Sequence, residues 1–261
     1  MPNNKHSHSE DQPVYDWRYL SLLLTTLLLG ILAYYFSPIT QSRYFYHYAD
    51  QRSFFGIPHF WNIFSNFGFL LVGYVGLKAL RCNSLTIIPQ LSSIYHLFFV
   101  SLITAFIGSS IYHYSPTPFT LMLDRIPITI GFCSLYCIVL AEHVSLKLAK
   151  TMIIPILAYG IISVLYWYMT DVLTGRGDMA AYILVQLLPI IHIPMIIALY
   201  PSKLGNARYY LMAIGMYGLA KLAESNDEEI YNILGGISGH SLKHVLAAIG
   251  AFLIYLGWKR R

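Results

Sequence analysis

Apolar residues gather in long runs along this chain, and polar residues collect between them. A membrane-crossing helix needs about 20 predominantly apolar residues. Runs of roughly that kind fall at 17–36, 60–80, 92–113, 119–141, 151–170, 179–200, 209–223 and 238–257. The pattern predicts an all-α membrane protein of eight spans, the run at 209–223 being short and rich in Gly and Met. The first run is nearly pure Leu, Thr and Ile in its middle and has Trp17, Tyr34 and Tyr35 at its ends, as an interfacial anchor does. It is too long for a signal peptide and has no small-residue cleavage site, so it is expected to remain as a span.

Between the runs the chain is uneven. Residues 1–15 are polar and are expected to form a disordered cytoplasmic tail. Residues 37–58 form a connector with Arg43, His47, Asp50 and Arg52 among six aromatics, which suits the bilayer surface. The link 114–118 is so short that the helices on either side must pack antiparallel. Arg125, just beyond it, is expected to snorkel outward. The acidic stretch Glu224 to Glu229 has the composition of a solvated loop. Pro189 and Pro194 bracket His192 and predict a kink, with His192 in a packing role.

Composition sharpens the class. Of 261 residues, 56% are hydrophobic and 11% are charged, where soluble domains run near 25% charged. The net charge of +5 does not indicate nucleic-acid binding, because the bases sit between apolar runs. Eleven bases lie on the side of the termini: Lys5, Arg18, Lys78, Arg81, Lys147, Lys150, Lys203, Arg208, Lys259, Arg260 and Arg261. The other side holds Arg43, Arg52, Arg125, Arg176, Lys221 and Lys243, with eight of the twelve acids. The positive-inside rule then places both termini in the cytoplasm. Cys82, Cys133 and Cys137 make neither a disulfide framework nor a thiolate site. No repeat, P-loop, dinucleotide fingerprint, EF-hand or zinc-finger spacing occurs.

Chemistry concentrates at the non-cytoplasmic ends of three runs. Ser109 and His113 are four residues apart, as are His240 and His244, so each pair stacks on one helix face. Asp124 sits in the second turn after the short link, next to His113. Polar groups within membrane helices face the bundle or a cavity, and they are functional candidates by default. Neutral imidazoles suit zinc, and three protein ligands with a water is the catalytic pattern. Zinc would bring the pKa of its water to about 7. Asp124 would then take or orient the water's proton, and Ser109 would steady the developing oxyanion. Another metal with a taste for nitrogen and oxygen fits the same ligands. Asn62, Ser65 and Asn66 are a possible supporting shell or plain interhelical glue.

The segments Phe60-Trp61-Asn62-Ile63-Phe64-Ser65-Asn66, Gly108-Ser109-Ser110-Ile111-Tyr112-His113, Leu123-Asp124-Arg125-Ile126-Pro127 and Gly239-His240-Ser241-Leu242-Lys243-His244 resemble, as an ordered set, the alkaline ceramidase family. That family belongs with the progestin and adipoQ receptors in a superfamily of membrane hydrolases. The resemblance covers residues 55–257. It implies a seven-helix hydrolase-like domain over 59–258, with 16–36 as an added N-terminal helix. It implies zinc held by His113, His240 and His244, with Ser109 and Asp124 catalytic, and cleavage of the amide of a ceramide-like lipid to fatty acid and amine base. The family's glutamate before the serine–asparagine pair is His59 here, and its acidic segment shortly upstream is missing, so no calcium site is implied. The expected partner is a membrane N-acyl lipid, with no obligate protein partner. Two other classes stay open: a receptor-like or structural protein whose zinc is not catalytic, and a transporter. The latter would need a polar path for which only His96, Gln186 and His192 are candidates.

Overall fold

The computed structural model describes residues 16–261 apart from Lys203, and only the backbone of residues 43 and 44. The tail expected at 1–15 lies outside the described residues. Ten α-helices follow in order among the described residues: α1 Trp17–Phe36, α2 Phe60–Phe64, α3 Phe67–Arg81, α4 Ser92–Tyr114, α5 Pro118–Val139, α6 Leu146–Thr174, α7 Ala180–Leu199, α8 Arg208–Ser225, α9 Asp227–Leu234 and α10 Gly239–Lys259. Isolated bridges join Thr40 to Asp178 and Phe54 to Ile57.

Among the described residues, seven helical segments are long and apolar enough to cross a membrane: α1, the α2–α3 pair, α4, α5, α6, α7 and α10. α8 stands where the seventh expected span falls, but its 18 residues include Arg208, Lys221 and Glu224. It packs against α10, and the structure shows why a charged helix is tolerated there: Lys221 and Glu224 pair with each other, and Glu224 pairs again with Lys243 of α10.

Helix ends follow local chemistry. Pro118 opens α5 inside a capping box made by Thr117 and Thr120. Ser238 caps α10 by accepting from the Ser241 backbone N–H at 3.1 Å. α6 and α9 close on Gly175 and Gly235, both with positive φ, the left-handed position glycine takes most readily. α4 and α5 run antiparallel, as the short link requires. They touch at Gly108, where a β-carbon would collide with the Leu123 carbonyl. Gly239 does the same for α10, whose start lies against Ala223 and Asp227.

Large apolar side chains face outward on many helices: Leu24, Leu28 and Ile31 on α1, Ile154 and Ile162 on α6. In water so broad an apolar surface would drive aggregation; in lipid it is the solvent face. α1 buries only Leu22 and lies along α7. Arg18 donates to the Leu199 carbonyl at 3.2 Å at one end of that pair. At the other end Asp178 clamps the connector, accepting from the Ser37 hydroxyl at 2.6 Å and the Ile39 N–H at 2.9 Å.

Both described ends of the chain lie at one end of the bundle, where Arg261 reaches a buried Glu142 and Thr86 donates to the Trp258 carbonyl at 2.9 Å. Glu142 is carried by a π-helical turn, Leu140–Val144, that continues α5. Its two carboxylate oxygens take Tyr95 at 2.8 Å, Tyr210 at 2.7 Å and both Arg261 terminal nitrogens. The start of α2, the end of α4, the start of α5 and the start of α10 meet at the opposite end.

Candidate metal centre

That opposite end holds the three histidines that the sequence placed at one depth. His113, His240 and His244 are all buried, and each offers a ring nitrogen within 4.8 Å of the others'. Their ring centroids are 4.9, 5.1 and 4.9 Å apart. Helix spacing alone produces the His240–His244 pair; the third histidine arrives because α2 packs against both α4 and α10, with His59 at its start bonding the His113 carbonyl and Asn62 and Ser65 bonding Ser241 and His244.

The donor set fits a metal ion. Both ring nitrogens of His113 are buried with no hydrogen-bond partner. A buried unpaired donor or acceptor costs about 1–3 kcal/mol, so an orphaned imidazole facing two others is a place for a ligand. The Ser65 hydroxyl lies 2.9 Å from His244 Nδ1. When that ring nitrogen donates to Ser65, Nε2 carries the lone pair a cation needs. His240 Nε2 accepts from the Lys243 ammonium at 3.0 Å. An ion and the ammonium compete for that lone pair, and Glu224, 2.9 Å from the same ammonium, keeps it partnered when the ion takes the ring. Imidazole nitrogens suit zinc among several transition metals.

Each remaining sequence candidate has a distinct place. Ser109 and Asp124 come from α4 and α5 and line one cavity together with Asn66 and His244. Asp124 Oδ1 and Asn66 Oδ1 are buried without a partner. Asn62 braces the start of α10 instead, its Oδ1 accepting from the Ser241 hydroxyl at 2.8 Å. Asn62 also accepts at its backbone carbonyl from the Asn66 amide at 2.7 Å. Thus Ser65 touches the triad, Asn62 positions it and Asn66 faces the cavity. His192 bonds Tyr136 at 2.6 Å, and His96 bonds the Ser92 carbonyl within its own helix.

Two expectations need correction. The acidic stretch is not a loop: it ends α8 and opens α9, with Glu228 and Glu229 exposed as expected but Asp227 turned inward. Asp227 accepts from the His240 N–H at 2.7 Å and the Ala49 N–H at 2.9 Å, tying α10 to the connector. A carboxylate at a helix N-terminus meets unpaired N–H groups and the positive end of the dipole, which is why it turns inward. Arg125 does not snorkel outward either. It is 4% exposed, sits over the rings of Trp167, Tyr182 and Phe45, and lines the cavity.

Several residues at the site had no sequence signal. Tyr48, one aromatic among many in the connector, is buried with its ring centroid 5.0 Å from His113 and 4.7 Å from His240. It closes the site from above. Asp50 and Arg52 fix it there. Arg52 binds both Asp50 oxygens and also donates to the Gly236 carbonyl at 2.6 Å. Burial pushes the Asp50 carboxyl up, but the bonds from Arg52 outweigh it and hold the group below the usual carboxylate range. His59 takes a left-handed backbone conformation and bonds the His113 carbonyl at 2.8 Å through Nδ1.

The cavity beside the triad has a volume of about 620 Å³. Its polar wall is Ser109, Asp124, Arg125, Lys221, Glu224 and Lys243. From there it runs between α3, α4, α5, α7, α8 and α10 along apolar side chains to Ile254 and Tyr210, close to the Glu142 cluster. No family model matches the chain, and no curated protein matches it.

Proposed function

We propose that the protein is a zinc-dependent intramembrane hydrolase that cleaves the amide of a ceramide-like lipid, as its resemblance to the alkaline ceramidases implies. The observation that carries this reading is the juxtaposition of a buried three-histidine centre with an apolar cavity that reaches it from within the bundle. A pocket of this size and lining takes an acyl chain in its apolar part and leaves the chain's polar junction at the histidines.

His113, His240 and His244 would hold the ion. When bound, zinc supplies Lewis-acid polarisation and makes water acidic enough to attack at neutral pH. The protein's own groups do the rest. Asp124, with one carboxylate oxygen unclaimed, accepts the proton of the attacking water. As the carbon–nitrogen bond breaks, the same carboxyl returns that proton to the leaving amine. Water thus adds its oxygen to the acyl carbon, and the products are a fatty acid and an amine. Ser109 donates to the carbonyl oxygen as charge builds there. Tyr48 and Tyr112, buried with their rings against the histidines, exclude bulk water, which strengthens each of these contacts. In this reading both termini face the cytoplasm and the centre opens near the non-cytoplasmic interface.

Metal content of the detergent-purified chain, measured with fatty-acid release from N-acyl and O-acyl lipids, tests the proposal. About one zinc per chain with amide cleavage is the expected result. Zinc without cleavage of any lipid would leave a receptor-like or structural protein, and a metal-free chain would return the histidines to helix packing.

A further inference from the structure

The cavity's polar wall carries more positive charge than a neutral lipid amide requires. With His244 and the tyrosines neutral, its charged side chains are Arg125, Lys221 and Lys243 against Asp124 and Glu224, an excess of one positive charge before any metal is counted. The two lysines are accounted for, since both pair with Glu224, at 2.8 and 2.9 Å. Arg125 is not. It is 4% exposed, and among the described residues no carboxylate lies within ion-pairing distance of it. One terminal nitrogen donates to Gln41 Oε1 at 2.7 Å, while the other is buried with no partner.

A buried guanidinium without an anion is expensive, and the aromatic cage explains only part of its presence. The rings of Trp167 and Tyr182, with centroids 4.1 and 4.8 Å from its central carbon, stabilise the charge and fix its direction. They offer no acceptor to the free N–H. Arg125 follows Asp124 in α5, and both line the same cavity, so a ligand held at Asp124 shares that cavity with the guanidinium. Guanidinium forks pair best with carboxylate and phosphate oxygens.

We infer that the lipid amide taken by this site carries an anionic group on its amine half, close to the scissile bond, and that Arg125 binds it. An N-acyl amino acid is the simplest molecule of that description. The inference rests on the hydrolase reading for the word substrate, but the anion preference belongs to the cavity and can be measured as binding.

The test compares N-palmitoylglycine with N-palmitoylethanolamine on the zinc-loaded full chain, as kcat/KM for fatty-acid release and as displacement of a fluorescent acyl probe. A charge-assisted hydrogen bond corresponds to a preference of about tenfold or more for the anionic probe. Arg125→Gln should cut the anionic-to-neutral ratio by a similar factor, and Arg125→Lys should restore part of it. The phosphate monoester of N-palmitoylethanolamine separates the two anions: preference for either anion over the neutral lipid supports the assignment. Equal handling of all three by the wild-type chain overturns it, whatever the variants do, and so does an unchanged ratio in a folded Arg125→Gln. Hydrolysis without charge preference sinks this inference and leaves the hydrolase standing. Anion-selective binding with no hydrolysis does the reverse.

Discussion

The two ends of the bundle bury polar groups in opposite ways. At the end near the termini, Glu142 has both oxygens filled by Tyr95, Tyr210 and Arg261, and Trp258 donates to Tyr210 at 2.7 Å. Among the described residues, Arg261 Nε and the Nε2 of the neighbouring His143 are left over there. At the histidine end His113 lacks a partner at both ring nitrogens. Asp124, Asn66, Arg125, Tyr48 and Tyr112 each leave a buried polar atom unpaired as well. A satisfied buried network rigidifies a core, whereas an unsatisfied one costs free energy unless something else completes it. The first end is therefore a brace, and the second gathers unpartnered buried groups around three histidines that could hold a metal ion.

Substitutions can break this contrast. The largest effect is expected at the histidines: His113→Ala or His240→Ala should take the zinc content from about one per chain to near zero and abolish fatty-acid release, measured by elemental analysis and product assay. Retention of metal by His113→Ala would show that its orphaned ring is mere packing. Asp124→Asn should keep the metal and lower turnover by about 10²–10⁴-fold. Equal metal loss in Asp124→Asn and His240→Ala would make Asp124 a ligand or brace.

Glu142→Gln sharpens the comparison from the other end. It strands the Arg261 charge in a buried setting, so unfolding in detergent should show a loss of about 3–5 kcal/mol. Its zinc content should be unchanged; metal loss would mean that the two ends are coupled.

The smallest expected effect lies at the clamp between α1 and α7. Asp178→Asn should cost about 1 kcal/mol, seen as a modest fall in Tm. Burial raises the Asp178 carboxyl, but donation from Ser37, Ala180, Ile39 and Tyr166 outweighs it and holds the group below its usual value. Its contribution is thus complete above about pH 4 and lost as pH falls through the lowered value. The difference in Tm between wild type and Asp178→Asn should close in that acidic range. A gap that persists there would mean the clamp does not depend on charge.

Much of the fold was legible because lipid leaves a helix few alternatives. Each long apolar run must satisfy its own backbone, so run lengths translate into helices. α8 shows where that logic stops: three charges in 18 residues remove it from the clearly spanning set, and only pairing with Lys243 of α10 explains its position. The break between α2 and α3 at Ser65 and Asn66 was equally invisible, because two polar residues in an apolar run look the same in a continuous helix.

By itself, the sequence determined that this is a helical membrane protein and that Ser109, His113, Asp124, His240 and His244 could share one depth. Helical spacing and one short link suffice for that, since both are local. Only the tertiary structure decided that three of those residues converge within 4.8 Å, that Tyr48 covers them and that Arg125 turns inward with a free N–H. Those outcomes depend on how α2 and the connector pack against α4 and α10 and on which buried groups find partners, and neither is set by the residues immediately before and after.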